Sequence, residues 1–279
     1  MIPPTSIDGT DITGATIDGT DVQEITVDGD VVFSASPAGS FDITQFTFDT
    51  SINTQDTLAL DIAWNDDGTK LYEVGPSDDE IYEYSLSTAF DITTATFQSS
   101  IIGQDNSPRG IAWNDDGLRL YESGGIGKKI YQYTLTTAYD LNTATFQNSF
   151  NTAVPTESFA WNNDGTKFHL ISPPDISEFT LTTAFDVTTA SFQNSISTQD
   201  TIPFGIAWNN DGLRLYEVGR DAAKIYQYTL TTPFDITTAT FDTSINTQDS
   251  DPTGMDWNND GTKFYEVGLG SAQIYEYTL

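Results

Sequence analysis

Most side chains able to do chemistry in this 279-residue chain recur in copies, so the exceptions to the recurrence are informative. Asn-Asp-Asp-Gly or Asn-Asn-Asp-Gly follows every Trp, as in Trp113-Asn114-Asp115-Asp116-Gly117, and shares part of the vocabulary of calcium loops. A calcium loop also needs a bidentate Glu at a fixed downstream spacing; none stands there, so the pattern points to turn chemistry and no metal is expected. Gln55-Asp56, Gln104-Asp105, Gln199-Asp200 and Gln248-Asp249 form a second recurring pair, expected to cap loops through side-chain to backbone hydrogen bonds. His169 is the single histidine and occupies a place held by Tyr in the other copies, which favours packing over catalysis. Five basic residues, Arg109, Lys128, Lys129, Arg220 and Lys224, have no counterpart in the recurrence. Positive charge gathered on an acidic protein suits an anionic ligand, so these five are the candidate ligand-binding residues, with ordinary surface charge as the alternative. Cysteine is absent, and no nucleophile-elbow, zinc or phosphate-loop motif is present. No catalytic residues, no cofactor and no enzymatic activity are expected.

The elements that carry these residues follow from the spacing of Trp64, Trp113, Trp161, Trp208 and Trp257, whose intervals by subtraction are 49, 48, 47 and 49 residues. A period of this size with several short alternating segments and turn signals predicts a β-propeller. In one unit, strand A is predicted over 110–114, B over 118–122, C over 130–135 and D over 143–150. Phe41-Asp42-Ile43, the first copy of the C–D connection, precedes a D strand (46–52) with no A, B or C before it, while the last C strand (274–278) has no D after it. An N-terminal strand completing the last blade explains both, and closure protects the sheet edges. The fold class is therefore all-β, a five-bladed β-propeller over 41–279 closed by an N-terminal strand and preceded by a small β-hairpin arm and linker over 1–40. The Trp residues, on the innermost strand, are expected between blades, with stacking on sugars as the alternative. Lys70, Arg119, Lys167, Arg214 and Lys263 each stand two residues after a turn glycine and are expected to offset the acidic turns.

Strand polarity places the A–B turns and C–D connections on one face, called lower here, and the B–C and D–A loops on the upper face. The arm is expected to leave from the lower face. Its period of ten, Ile7-Asp8-Gly9, Ile17-Asp18-Gly19 and Val27-Asp28-Gly29, predicts short hairpins that cannot bury a core alone. Ile7, Ile17, Val22, Ile25, Val27 and Val31 are therefore expected to pack against sister subunits, making a homo-oligomer, or against another partner protein.

There are 41 acidic and 10 basic residues, a formal net charge of -31, so no nucleic-acid partner is expected and the composition points to a halophile, with an acidic mesophilic protein as the alternative. The N-terminus has no basic segment followed by an apolar one, and no apolar run reaches membrane-spanning length, so neither an export signal nor membrane insertion is expected.

Trp64-Asn65-Asp66-Asp67-Gly68-Thr69-Lys70-Leu71-Tyr72 and its copies resemble the Asp-Gly repeat propellers related to the NHL and YVTN-type families, over residues 41–279. Residues 17–32 resemble segments in structural proteins of tailed viruses, haloarchaeal ones in particular. Together these resemblances imply a virion surface protein, in a turret, spike or tail fibre, extracellular after release, that presents a propeller to a host-surface glycan or glycoprotein. A cellular lectin-like propeller and a carbohydrate-active enzyme are the alternatives.

Overall fold

The computed structural model describes residues 40–279 throughout and, before them, the backbone of 6–7, 10–11, 24–27 and 30–34. Five four-stranded antiparallel sheets follow one another around a ring. Blade 2 is typical, with strand A at Pro108–Trp113, B at Arg119–Gly124, C at Lys129–Thr134 and D at Thr145–Asn151. Strand A starts two residues earlier than predicted. Strand D starts two residues later, because Leu141–Thr143 coil into a 3₁₀ turn capped by the Asp140 carboxylate on the Asn142 N–H.

Blade 5 takes its strands A to C from Pro252–Trp257, Lys263–Gly268 and Gln273–Thr278, and its D strand, Thr47–Asn53, from the other end of the chain. Ile274 pairs with Ile52 and Tyr277 with Phe48, so the ring closes as predicted. The Phe41 N–H donates to the carbonyl of the blade 5 turn glycine, Gly261 (2.8 Å), which puts chain entry on the lower face. Two short hairpins precede the ring: Ser6–Ile7 with Thr10–Asp11, and Glu24–Val27 with Asp30–Ser34. The middle copy at 17–20, with Ile17 and Val22, lies outside the described residues, as does the linker at 35–39.

The core consists of five clusters, one per blade interface. Between blades 1 and 2, Tyr72, Val74 and Ile81 meet Ile111, Leu120, Tyr131 and Tyr133. The Trp residues sit at these interfaces: Trp113 lies 4.7 Å from Tyr72 of blade 1 and 5.1 Å from Tyr139 of its own C–D loop.

Polar struts cross the same interfaces. The Tyr72 hydroxyl donates to the Tyr139 carbonyl (2.6 Å), and the Leu141 N–H donates to Glu83 (3.0 Å). The repeat-locked bases belong to these struts and do not chiefly serve the turns beside them. Lys70 donates to Glu83 and to the Tyr139 carbonyl, and Lys263 repeats this with Glu276 and Phe90. Where strand C has Gln132 or Gln227 instead of Glu, the base is Arg: Arg119 donates to the Ala184 and Phe185 carbonyls, and Arg214 to that of Ser40. In blade 3, His169 replaces the strut Tyr; it is buried, bonds Glu178 (3.3 Å) and packs edge-on against Trp208. Burial holds its pKa below the usual histidine range.

Candidate functional site

Strand A is the innermost strand of each sheet and has a partner on one side only. The Asn114 N–H bonds back across strand B to Arg119, and the antiparallel alternation then turns the N–H and C=O of Ile111 and Trp113 toward the axis. The channel wall is therefore largely backbone. It encloses a cavity of about 250 Å³ that opens on the lower face between Asp66, Asp115, Asn163 and Asn210.

At the upper end the A strands converge on Gly110, Ser158, Gly205, Gly254 and Asp61, which share one level of the repeat. A Cβ on Gly205 would lie 2.7 Å from the Thr253 carbonyl, and one on Gly254 2.7 Å from Asp61 Cα, so little beyond glycine fits. Asp61 is the exception. Its carboxylate accepts from Ser158 Oγ (2.9 Å), the Ile111 N–H (3.3 Å) and its neighbour the Ile62 N–H (3.0 Å), pinning blades 1, 2 and 3 together. Asp256 stands where the other blades have Ala63, Ala112, Ala160 and Ala207, and accepts from the N–H groups of Trp64 (3.0 Å) and Trp257 (2.8 Å). Desolvation raises both: Asp61 well above the usual carboxylate range, helped by the charge of Asp256, and Asp256 to about 6. The sequence reading missed these two, although aligning the copies exposes them as the only acids at a Gly/Ser and an Ala position.

The lower mouth is stitched by amides on one side only. Asn163 Nδ2 donates to the Asn210 carbonyl (2.6 Å), Asn210 to Asn259 (2.5 Å) and Asn259 to Asp66. At the two remaining joints the equivalent residues are Asp66 and Asp115, which have no side-chain N–H to give.

The five predicted ligand residues all lie toward the upper face, but they divide into two kinds. Arg109 is paired with Glu157 of blade 3, and Arg220 is forked on Asp251 (2.5 and 2.7 Å) while lying over the Phe204 ring. Both guanidiniums already hold a carboxylate, so the expected forked contact to an external anion would require breaking an internal pair. Lys128, Lys129 and Lys224 have no ion pair among the described residues; Lys129 sits 5.9 Å from the Tyr131 ring centre. Ile126 and Ile102, 65% and 71% exposed, stand on the same face.

The Gln-Asp pairs cap loops as expected, with Asp doing the capping. Asp105 accepts from the N–H groups of Ser107, Ile126 and Gly127, and Glu122 accepts from those of Gln104 and Asp105 and from the Tyr133 hydroxyl. Blades 1, 4 and 5 repeat this. Burial raises the four glutamates, Glu73 and Glu266 to about 7. A carboxyl whose folded pKa exceeds its unfolded value binds its proton more tightly when folded, so its stabilising effect is full below the unfolded pKa and is lost as pH rises through about 7. Asp61 and Asp256 act in the same direction. The melting temperature in constant salt is expected to be higher at about pH 5 than at about pH 8; a flat profile, or one rising toward pH 8, contradicts this.

No family model matches the chain, and a search of the curated proteins finds no match. Among solved structures, the β-propeller domain of Myceliophthora thermophila Cps50 (Swd1) is similar over 84% of this chain and 99% of that one, at 9% identity and a TM-score of 0.51. A functionally unknown protein from Desulfotomaculum acetoxidans aligns over 78% and 68% at 14% identity, with a TM-score of 0.48. The former likeness supports the propeller fold and nothing finer.

Proposed function

We propose that this is a non-catalytic binding protein of a virion surface, in a turret, spike or tail fibre, held by residues 1–40 and presenting its propeller to a host-surface glycan or glycoprotein in a saline medium. The observation that carries the reading is polarity: the chain enters at the Gly261 turn on the lower face, while the three lysines with no ion pair among the described residues and the exposed isoleucines stand on the other. A tethered particle protein would meet a host with that upper face. Lys128, Lys129 and Lys224 are the side chains free to hold a carboxylate or sulfate, with Arg109 and Arg220 shaping the surface through their internal pairs.

Particles carrying Lys128→Ala/Lys129→Ala/Lys224→Ala protein are expected to lose roughly tenfold or more in host adsorption, because each contact to a charged group contributes about 1.5 to 3 kcal/mol when desolvated. Lys263→Ala, on the lower face, serves as the control and should adsorb normally at matched folding. Loss in the Lys263 variant alone would reverse the face assignment. Release of reducing ends from host polysaccharide, abolished by Asp256→Ala, would replace the binding reading with a hydrolase. The saline medium has its own check. With 41 acids against 10 bases, the melting temperature should climb as KCl goes from about 0.1 to about 2 M, where the Debye length shrinks to roughly 3 Å; a flat or falling curve removes the halophilic part.

A further inference from the structure

We propose that the outer rim of the ring is a multivalent surface for uncharged glycan, with one site per blade built on an exposed phenylalanine of strand D. The ligand class rests on the adhesion reading, whereas the sites use none of the upper-face lysines. Strand D is the outermost strand of every sheet: Ala95–Ile102, Thr145–Asn151, Ala190–Ser197, Thr240–Asn246 and Thr47–Asn53 in blades 1 to 5. Phe97, Phe146, Phe192, Phe241 and Phe48 hold one equivalent place on these strands, and all five are between 44% and 57% exposed. Their setting repeats as closely as their exposure. Phe97 lies 6.2 and 6.5 Å from Tyr82 and Tyr84, and Phe146, Phe241 and Phe48 lie 6.1 to 6.3 Å from the equivalent pairs of tyrosines. Blade 3 has Ser177 and Phe179 in place of those two tyrosines and His169 in place of the strut tyrosine, yet it keeps Phe192, the most exposed of the five. A ring half in water gains only part of its burial, so packing alone gives little reason to keep it in every blade.

The rim is built against strand addition and against charged ligands. Tyr84 pairs with Phe97 and Glu83 with Ser99, which leaves Gln98 in a bulge, and Gln147, Gln193, Asp242 and Asp49 repeat it directly after their phenylalanines. A bulge twists the edge and blocks pairing with another chain's strand. Of the 41 acidic residues only Asp49 and Asp242 stand on the D strands, and no Lys or Arg does, so a sulfated or carboxylated sugar finds no base there. What surrounds each ring is hydroxyl and amide, as with Thr96, Gln98 and Ser100 in blade 1. An uncharged sugar needs that combination: its C–H face packs on an aromatic ring, and its hydroxyls take hydrogen bonds from the neighbours. Size decides against a protein partner. A phenylalanine buries roughly 150 to 250 Å² in full, so half of one offers about 100 Å² per site, against roughly 800 Å² per side for a stable protein contact. The five sites also stand on successive blades around the circumference, where one flat partner reaches few of them. A glycan coat presents the same unit many times, and linking weak sites in this way raises affinity by about 10² to 10⁴.

The test passes the full chain, in about 2 M KCl, over columns of cross-linked dextran, galactan and mannan, with alginate as the acidic control. The chain should be retarded on at least one neutral matrix, released by the free oligosaccharide of that matrix, and not retarded on alginate. Phe97→Thr/Phe146→Thr/Phe241→Thr removes three of the five sites and should lower the apparent affinity by about tenfold or more. Threonine suits an exposed strand position, so this variant should keep a cooperative melt. The Lys128→Ala/Lys129→Ala/Lys224→Ala variant should be retarded like the unaltered chain. The rim site is overturned if no neutral matrix retards the chain, if the phenylalanine variant is retarded unchanged, or if the lysine variant loses the retardation instead. It is equally overturned if sedimentation shows the phenylalanine variant breaking up an oligomer, which would make the rim an interface between copies. Loss of host adsorption by the lysine variant, without retardation on any neutral matrix, would remove the rim site and leave the adhesion reading standing. Retardation that depends on the phenylalanines, with normal adsorption by the lysine variant, would do the reverse.

Discussion

A chain beginning at residue 53 is expected to aggregate on expression, whereas one beginning at residue 41 should stay soluble and melt close to the full-length protein. Residues 41–52 supply the closing strand and its anchor. Phe41 is 5% exposed and lies 5.2 Å from Trp257, Ile43 is fully buried, and Phe46 meets both Trp257 and Phe264. Burying Phe41 and Ile43 alone contributes roughly 3 to 6 kcal/mol. A typical domain is stable by about 5 to 15 kcal/mol, so this is a large share. The loss also frees the edge of Gln273–Thr278, and an unpaired edge with Ile274, Tyr275 and Tyr277 invites association with other chains. The carbonyl of Phe41, which takes a hydrogen bond from the Tyr216 hydroxyl, would vanish with it. Size-exclusion profiles and circular dichroism melts of the two truncations decide the matter. Equal solubility and equal melting would mean that the strand is dispensable and the closure inessential.

The ring was legible because the chain states it twice, in the five-fold Trp spacing and in the surplus D strand at one end with its absence at the other. Strand edges were less legible: Asp140 looks like any loop acid until its carboxylate is seen closing a 3₁₀ turn. Candidate sites suffered more, for a physical reason. Charge counted along a sequence carries no pairing, and Arg109 and Arg220 stand out as extra bases while their partners, Glu157 and Asp251, look unremarkable among 41 acids. Conversely, Asp61 and Asp256 vanish into that acidic background although they occupy the axis. Their signal is positional: each replaces a residue whose smallness the converging A strands otherwise require. Exceptions to a repeat are informative at levels where the repeat is sterically forced, and weakly so in open loops.

Blade 3 is such an exception, and it supports the second large effect. In the other blades four residues form one latch, shown in blade 2 by Asp105, Glu122, Tyr133 and Gly124. Gly124 is needed because a Cβ there would lie 2.0 Å from Asp105 Oδ2. Blade 3 has changed all four together, to Val154, Leu170, Phe179 and Ser172. Once the aspartate is gone the glycine is no longer forced, and once the glutamate is gone a tyrosine hydroxyl would have no acceptor. Glu122→Leu alone is therefore expected to cost about 3 kcal/mol or more, since it strands the Asp105 N–H and the Tyr133 hydroxyl, each at roughly 1 to 3 kcal/mol. Adding Tyr133→Phe and Asp105→Val should return most of that loss, leaving an interaction energy of about 1 to 3 kcal/mol across the cycle. Gly124→Ser should be tolerated in the triple variant and strongly destabilising in the wild-type background. Urea unfolding of the single and combined variants measures these terms. Simple additivity of the single costs would show that the four positions act independently and that blade 3 differs by chance.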